Sequence, residues 1–508
     1  MNRSLLKKEF LNEIARQRSE KRSDEPKIRV AFHRLALLLN LKLILGTAEQ
    51  QGKKSEDDSL IGDITLLANE FLSEDKCEND KDLILESLPA WEISNPRDVA
   101  YAMARYDYLI RDYLCGDNAQ IKTIRDQLKL TVERFEGLLL DEYLTLIFGI
   151  YSVVRKQRVF NISAGKVAEG LKIAPGSIAC FFSGRALPMD KFRDKFADGG
   201  WTKKQFLSLI KDYGFVTDTK EIRRYPFLKI DDDKYLVLDL LFVVELLTSG
   251  LYWSILDSLP ARPSKDRERF AELWGRAFEL YTVDLLRHYY PEASFALSPL
   301  KPDVQYVSDG DNGQIDALLD YGNEVILFEM KASLLSLKAK CGRDWDYLEN
   351  ELTVKFVENE KGAPKALRQL ARSATAAAKG RLFNGPIPDH IYPVLVVDEK
   401  AMECMGMNCY LNQTFRGLLG SDVTEKVCPL TVISIDELEE LLPYVEQAHV
   451  SWQEVLRSRF KGDDIAITSI HQALYNIGRD KSIPLTRNQF LLRRYEEMFS
   501  RIKDLFTI

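Results

Sequence analysis

Histidine and cysteine are scarce in this chain, with five and seven copies in 508 residues. So few histidines disfavour a histidine-based hydrolytic site. An odd number of cysteines without regular spacing argues against a disulfide framework. Cys404, Cys409 and Cys428 fall in one region, but C-x4-C with His390 as the nearest upstream histidine is a poor zinc pattern. There is no P-loop and no G-x-S-x-G elbow, so any energy coupling is expected from a partner chain. No apolar run reaches the ~18 residues needed to span a bilayer. The longest candidate, 235–247, is broken by Asp239 and Glu245. The first residues, MNRSLLKKEFLNEIARQRSEKR, are charged and amphipathic and lack a signal-peptide core. The expectation is a cytoplasmic protein without membrane association. Neither an internal repeat nor a low-complexity tract is visible.

What is present is an ordinary globular composition, 45% hydrophobic and 29% charged, in a length that suits two to four domains. The net charge of −7 is unevenly spread. Residues 56–86 hold 11 acidic and 2 basic side chains, whereas 155–224 hold 15 basic and 7 acidic ones. Such asymmetry suits a chain of which one region meets phosphates and another meets solvent or a basic partner. The acidic stretch follows Gly52-Lys53-Lys54-Ser55, which reads as a surface loop.

Residues 311–334, DNGQIDALLDYGNEVILFEMKASL, carry the most chemistry. The apolar run 325–328 after the turn-like Tyr321-Gly322-Asn323 reads as a buried strand, and 314–319 as the preceding strand of a hairpin. Glu329 and Lys331 are two apart and so share a face of that strand. Asp316 lies at hairpin distance from Glu329. Opposite charges at the end of a buried strand are costly unless they are used. Two hard carboxylates there can hold Mg²⁺, and Lys331 can orient water or stabilise developing charge at a phosphate.

This pattern of acid, spacer, then acid-x-Lys resembles the PD-(D/E)XK, or restriction-endonuclease-like, nuclease superfamily over roughly 265–440. Ile315 rather than proline precedes Asp316, at a position that varies in the family. The resemblance implies Mg²⁺-dependent nuclease chemistry (Mn²⁺ as a substitute) without naming a substrate; the reading taken is an endonuclease acting on DNA, with prokaryotic antiviral defence as its family-level role. The resemblance also implies an upstream helical glutamate and a downstream helical glutamine. Glu279, on a helix over 266–290 behind Gly275, fits the first as a third metal ligand, with Glu272 as runner-up. Gln369, in an alanine-rich helix over 366–378, fits the second, its amide holding a phosphate oxygen or the attacking water.

The fold expected is multidomain. A helical region spans 1–154, with helical periodicity at 98–114 and 128–154 and a leucine-rich segment at 30–45. A basic middle region spans 155–258, with a helix-turn-helix candidate at 167–178, a hairpin at 223–237 turning at 231–233, and a hydrophobic helix at 238–256. A mixed-sheet α/β nuclease domain spans 265–446, with strands near 293–300, 303–307, 314–319, 324–331, 391–397 and 430–435. A helical segment at 447–508 packs on the core or forms an oligomer contact. The second helix of the helix-turn-helix offers Ser177 and otherwise apolar residues, so base reading by it looks weak. Lys191, Arg193, Lys195, Lys203 and Lys204 are candidates to hold phosphates without sequence preference. Lys338, Lys340, Lys365 and Arg368 are candidates beside the nuclease motif. Two other readings stay open: a nucleic-acid-binding or scaffold subunit with a degenerate nuclease fold, and a toxin-like RNase.

Overall fold

The computed structural model describes residues 34–47, 79–94, 98–128, 134–196, 219–259, 265–291, 298–308, 311–382, 387–459 and 469–503. Most of the acidic stretch, the loop at 52–55, the expected strand at 293–297 and both Lys203 and Lys204 lie outside the described residues.

The N-terminal region is helical, with helices Arg34–Thr47, Asp80–Ser94, Val99–Tyr108, Ala119–Leu128 and Leu140–Gln157. Asp98 caps the third of these by accepting from the backbone N–H groups of Ala100 and Tyr101. The helix expected over 128–154 begins later. Arg134–Phe135 (β1) and Leu138–Leu139 (β2) pair antiparallel around Glu136 and Gly137 instead. Both turn residues have positive φ, 53° and 82°, which is the tight-hairpin geometry matched to strand twist.

In the middle region, Asn161–Ser163 (β3), Ala186–Leu187 (β4), Phe227–Lys229 (β5) and Lys234–Val237 (β6) form a sheet in the order β3-β6-β5-β4. Helices Ala164–Leu171 and Pro175–Arg185 are joined by a three-residue turn that starts at Lys172 with φ 56°. Ile178 and Phe181 point inward as expected, and Phe182 joins them. Outward the second helix offers Ala179, Cys180, Ser183 and Gly184, a face poor in groups that could read a base. The expected hairpin is β5–β6. Its turn is closed by Asp231, which accepts from the N–H groups of Asp233 and Lys234. The single hydrophobic helix expected at 238–256 is two, Leu240–Glu245 and Ser249–Ser258. The break lets Glu245 meet Arg223 at 2.9 Å. Gly250 then passes so close to the Glu245 carbonyl that a Cβ would collide with it.

The largest sheet contains Leu300–Ser308 (β7), Asp311–Asp320 (β8), Glu324–Lys331 (β9), His390–Val397 (β10) and Thr431–Ser434 (β11), in the order β11-β10-β9-β8-β7. Strands β7, β8 and β9 form an antiparallel meander, while β10 and β11 extend it in parallel. Parallel joins need crossovers. The helices between 337 and 378 supply one, and the helix Met407–Leu418 supplies the other. Strand β9 is buried on both faces, as its run of apolar residues requires. Ile326, Phe328 and Met330 pack into one cluster with the helix Lys265–Tyr289. Val325 and Leu327 pack into another with the helix Ala366–Ala378. The expected mixed-sheet α/β architecture is present, with the strands expected at 303–307, 314–319, 324–331, 391–397 and 430–435 found within a few residues of those edges; most of the strand expected at 293–300 lies outside the described residues.

The first cluster takes Met103, Phe181, Phe328 and Leu491 together, so all four expected segments share a core. The last described helix, Gln489–Arg501, lies along Val99–Tyr108. There Arg494 meets Asp107 at 2.6 Å and Phe490 stacks on Tyr108 with ring centres 4.8 Å apart. Among the described residues no helix is long and apolar enough to cross a membrane.

Candidate active site

Strands β8 and β9 pair from Asp320↔Val325 to Ala317↔Phe328. One further step of that register sets Asp316 opposite Glu329, and there the ladder stops. The Asp316 carboxylate instead accepts from the Met330 N–H at 2.7 Å. Beside this point, β7 kinks at Asp303, whose φ is 51°, between the pairs Pro302↔Ala317 and Val304↔Ile315. Strand β8 twists in step. Ile315 faces the helix Ala366–Ala378, while Ala317, two residues on, faces the opposite cluster. A left-handed non-glycine residue costs of order 1–2 kcal/mol. Such outliers collect at functional sites.

Glu329 is 5% exposed. Burial pushes its carboxyl well above the usual range, and the nearby charges of Asp316 and Glu279 add to this against Lys331. Asp316 is pushed up to about 7 by burial, then by Glu279. Neither carboxylate makes an ion pair with a described residue, and the amines of Lys331 and Lys365 make none either. Lys365 occupies the N-cap position of the helix Ala366–Ala378 without a capping hydrogen bond from its side chain. Its amine is held below its ordinary value by burial and by Lys331. Two buried acids held above their usual range, beside a lysine amine held below its own, are a site whose charges await a ligand.

Glu279 reaches the same field from the helix Lys265–Tyr289. Its carboxylate, however, is held by Arg276 at 2.9 Å, and Arg276 also lies 4.0 Å from Asp303. Among the described residues no group of three His, Cys, Asp or Glu is drawn together as a metal cage. The donor set is therefore two carboxylates, with Glu279 engaged elsewhere. Two carboxylates, hard oxygen donors that metal binding would deprotonate, suit Mg²⁺, which keeps several of its own waters. Glu272, the runner-up, is exposed.

The structure brings Asp316, Glu329, Lys331, Lys365 and, in the same field, Glu279 to one place. Gln369 and Arg368 lie one helical turn further along, lining an adjoining groove. Arg368 is paired with Glu358 at 2.7 Å. Lys338 stands apart, its ammonium 4.1 Å over the Tyr347 ring. Lys340 corrects the expectation of a phosphate contact. It is 7% exposed and bound to Glu92 at 2.9 Å and Glu399 at 3.3 Å, so its charge is spent inside the fold. Lys191 pairs with Asp194 at 3.5 Å, and Lys195 with Glu221 at 3.2 Å. Arg193 is half-buried on the same short helix. Sequence reasoning missed Asp303. The available signal was a Pro-Asp step inside a run that reads as a strand.

Comparison with known protein families, with curated proteins and with solved structures found no match to this chain.

Proposed function

We propose that this chain is a metal-dependent endonuclease that hydrolyses phosphodiester bonds, most of all in DNA. The reading is carried by the pair Asp316 and Glu329, buried at the frayed end of β8 and β9 without a cation in contact. The Asp316–Glu329–Lys331 spacing that resembles the PD-(D/E)XK superfamily supports it. So does a mixed sheet with helices on both faces.

Asp316 and Glu329 would hold Mg²⁺, which when bound neutralises the scissile phosphate and acidifies a coordinated water. Lys331, with no carboxylate in contact, offers its ammonium to the attacking water or to charge developing on the phosphate. The Lys365 ammonium and the first turn of the helix behind it favour a phosphate in the same place. Gln369 presents an amide to a phosphate oxygen. The Arg276–Glu279 pair sets the acidic field from the other side. A role in prokaryotic antiviral defence, and a partner protein supplying activation, rest on the resemblance alone.

The test is to incubate the purified chain with plasmid, linear DNA and RNA, in Mg²⁺, in Mn²⁺ and in EDTA. Metal-dependent cutting of DNA that is lost in Glu329→Ala is the expected result. Cutting of no nucleic acid with either metal, or full activity in Glu329→Ala, overturns the reading.

A further inference from the structure

Away from the candidate active site, a cavity of about 710 Å³ lies between the middle region and the segment that follows β9. Its walls come from the helices Lys220–Arg224, Ser249–Ser258 and Leu337–Cys341, from the end of Pro175–Arg185 and from the β1–β2 turn. The size is that of small-molecule sites, roughly 300–1,000 Å³. None of Asp316, Glu329, Lys331 and Lys365 lines it.

Hydrogen bonds among the lining residues fix how their side chains lie. Arg185 donates from Nε to Glu136 at 3.0 Å and from Nη2 to Ser254 at 2.9 Å. Arg223 reaches Glu92 and Glu245, both at 2.9 Å, and Lys340 reaches Glu92 at 2.9 Å. Asp257 pairs with Arg267 at 3.7 Å. The four acids of the wall therefore each have a cation already. The cations are not all used. The Arg223 Nη2 is buried without an acceptor. Arg224 is exposed and has no acidic partner among the described residues, only the face of Tyr225 at 5.4 Å. Lys220, Arg223 and Arg224 are three and four positions apart, so they share the helix face that Arg223 ties to Glu92 and Glu245.

Two further features point to the same kind of ligand. The helix Ser249–Ser258 starts at this wall, and Thr248 gives its first N–H groups no side-chain cap. Such a helix start favours an anion. One turn on, Trp253 lines the cavity and is partly exposed. Spare cations and an open helix start suit phosphate, and an indole beside them suits the flat face of a base. We propose that this cavity binds a nucleoside phosphate, with Arg224 and the start of the helix Ser249–Ser258 on the phosphates and Trp253 against the base. The proposal stands apart from the nuclease reading, since no acid or lysine of the candidate active site takes part in it.

Calorimetry on the full chain in EDTA tests it, with ATP, AMP and pyrophosphate as probes. ATP is expected to bind at one site per chain, and more tightly than pyrophosphate. Arg224→Glu should weaken ATP about tenfold or more, the scale of one charge-assisted contact. The Arg224 side chain is exposed, so an unchanged melting curve shows that this variant folds. ATP should quench the tryptophan fluorescence of wild type, and Trp253→Phe, which keeps an aromatic ring, should abolish the quench. Asp316→Asn/Glu329→Gln should bind ATP as wild type does. No binding of any probe, or equal affinity in Arg224→Glu, overturns the site. Pyrophosphate bound as tightly as ATP, or a quench that persists in Trp253→Phe, overturns the base contact. ATP binding that is lost in Asp316→Asn/Glu329→Gln overturns the placement, because the nucleotide then sits at the strands.

Discussion

Two groups of buried charge in this fold share the cost of burial, which holds Asp316 and Glu439 alike up at about 7, and differ in their partners. At the end of β8 and β9, Asp316 and Glu329 face each other with no ion pair to a cation among the described residues, and Asp316 is pushed up to about 7. Near the ends of β10 and β11, by contrast, the charges are matched. Arg105 meets Glu439 at 2.6 Å and Asp436 at 2.7 Å, and Tyr281 donates to Glu439 at 2.6 Å. Lys340 joins Glu92 and Glu399, and Arg223 joins Glu92 and Glu245. Burial works to raise the Glu92 carboxyl, yet Lys340 and then Arg223 lower it to about 2. The lesson is that burial alone does not mark a site. A buried acid whose partners are inside the protein is architecture, and one whose neighbours are other acids is waiting for something from outside.

The sharpest way to break this contrast is to remove the waiting charges. Asp316→Ala, Glu329→Ala and Lys331→Ala should each cut DNA at least about a thousandfold more slowly, the scale expected when a metal ligand or a transition-state charge is lost. Single-turnover cleavage on a gel measures it. Removing a matched charge should have the reverse profile. Arg105→Ala leaves Glu439 buried without its cation, and should cost about 3–5 kcal/mol of stability in urea unfolding. If Arg105→Ala unfolds like wild type while Glu329→Ala collapses, the two regions have been assigned the wrong way round.

The metal gives a smaller but cleaner difference. Millimolar Mg²⁺ or Mn²⁺ should raise the melting temperature of wild type by a few degrees through mass action. It should leave the double variant Asp316→Asn/Glu329→Gln unmoved. An equal rise in both proteins would place the ion elsewhere.

The smallest effect is in pH. Asp316 titrates well above the ordinary carboxyl value of 3.8 in the folded chain. Between about pH 4 and 7 the folded state therefore holds a proton that the unfolded state has released. That stabilisation is present at lower pH and is lost as pH rises through 7. In EDTA, Asp316→Asn should come closest to wild type at or below about pH 4, gain on it as pH rises towards 7, and melt higher than it at pH 8. A variant that melts lower at pH 8 would mean that Asp316 is a paired, structural acid.

Much of the site was legible because its spacing is local. Asp316, Glu329 and Lys331 sit on two adjacent strands of one hairpin, where alternation and a turn determine which side chains meet. The mixed sheet and the helix Ala366–Ala378 followed from periodicity for the same reason. What escaped depends on distant segments. Asp303 joins the site only through the register of β7 on β8. Lys340 looked like a phosphate contact until Glu92, on an N-terminal helix, was seen to take its charge. The β1–β2 hairpin was hidden inside a stretch with helical periodicity, with Gly137 as its one local signal.

The packing of Gln489–Arg501 on Val99–Tyr108 has a consequence for how the chain comes to exist. Arg494 and Asp107 are 387 positions apart, and the contact between them closes nearly the whole described polypeptide into one loop. Contacts of such long sequence separation form late. During synthesis the strands that carry Asp316 and Glu329 would emerge from the ribosome well before the helix that completes their shared core, so a nascent chain would carry the candidate site without its final support. Under the proposed function, that ordering would delay activity until the 489–501 segment has been made. It also means that a fragment trimmed to 265–446 would expose the apolar surfaces which Met103 and Leu491 cover, and should aggregate rather than fold.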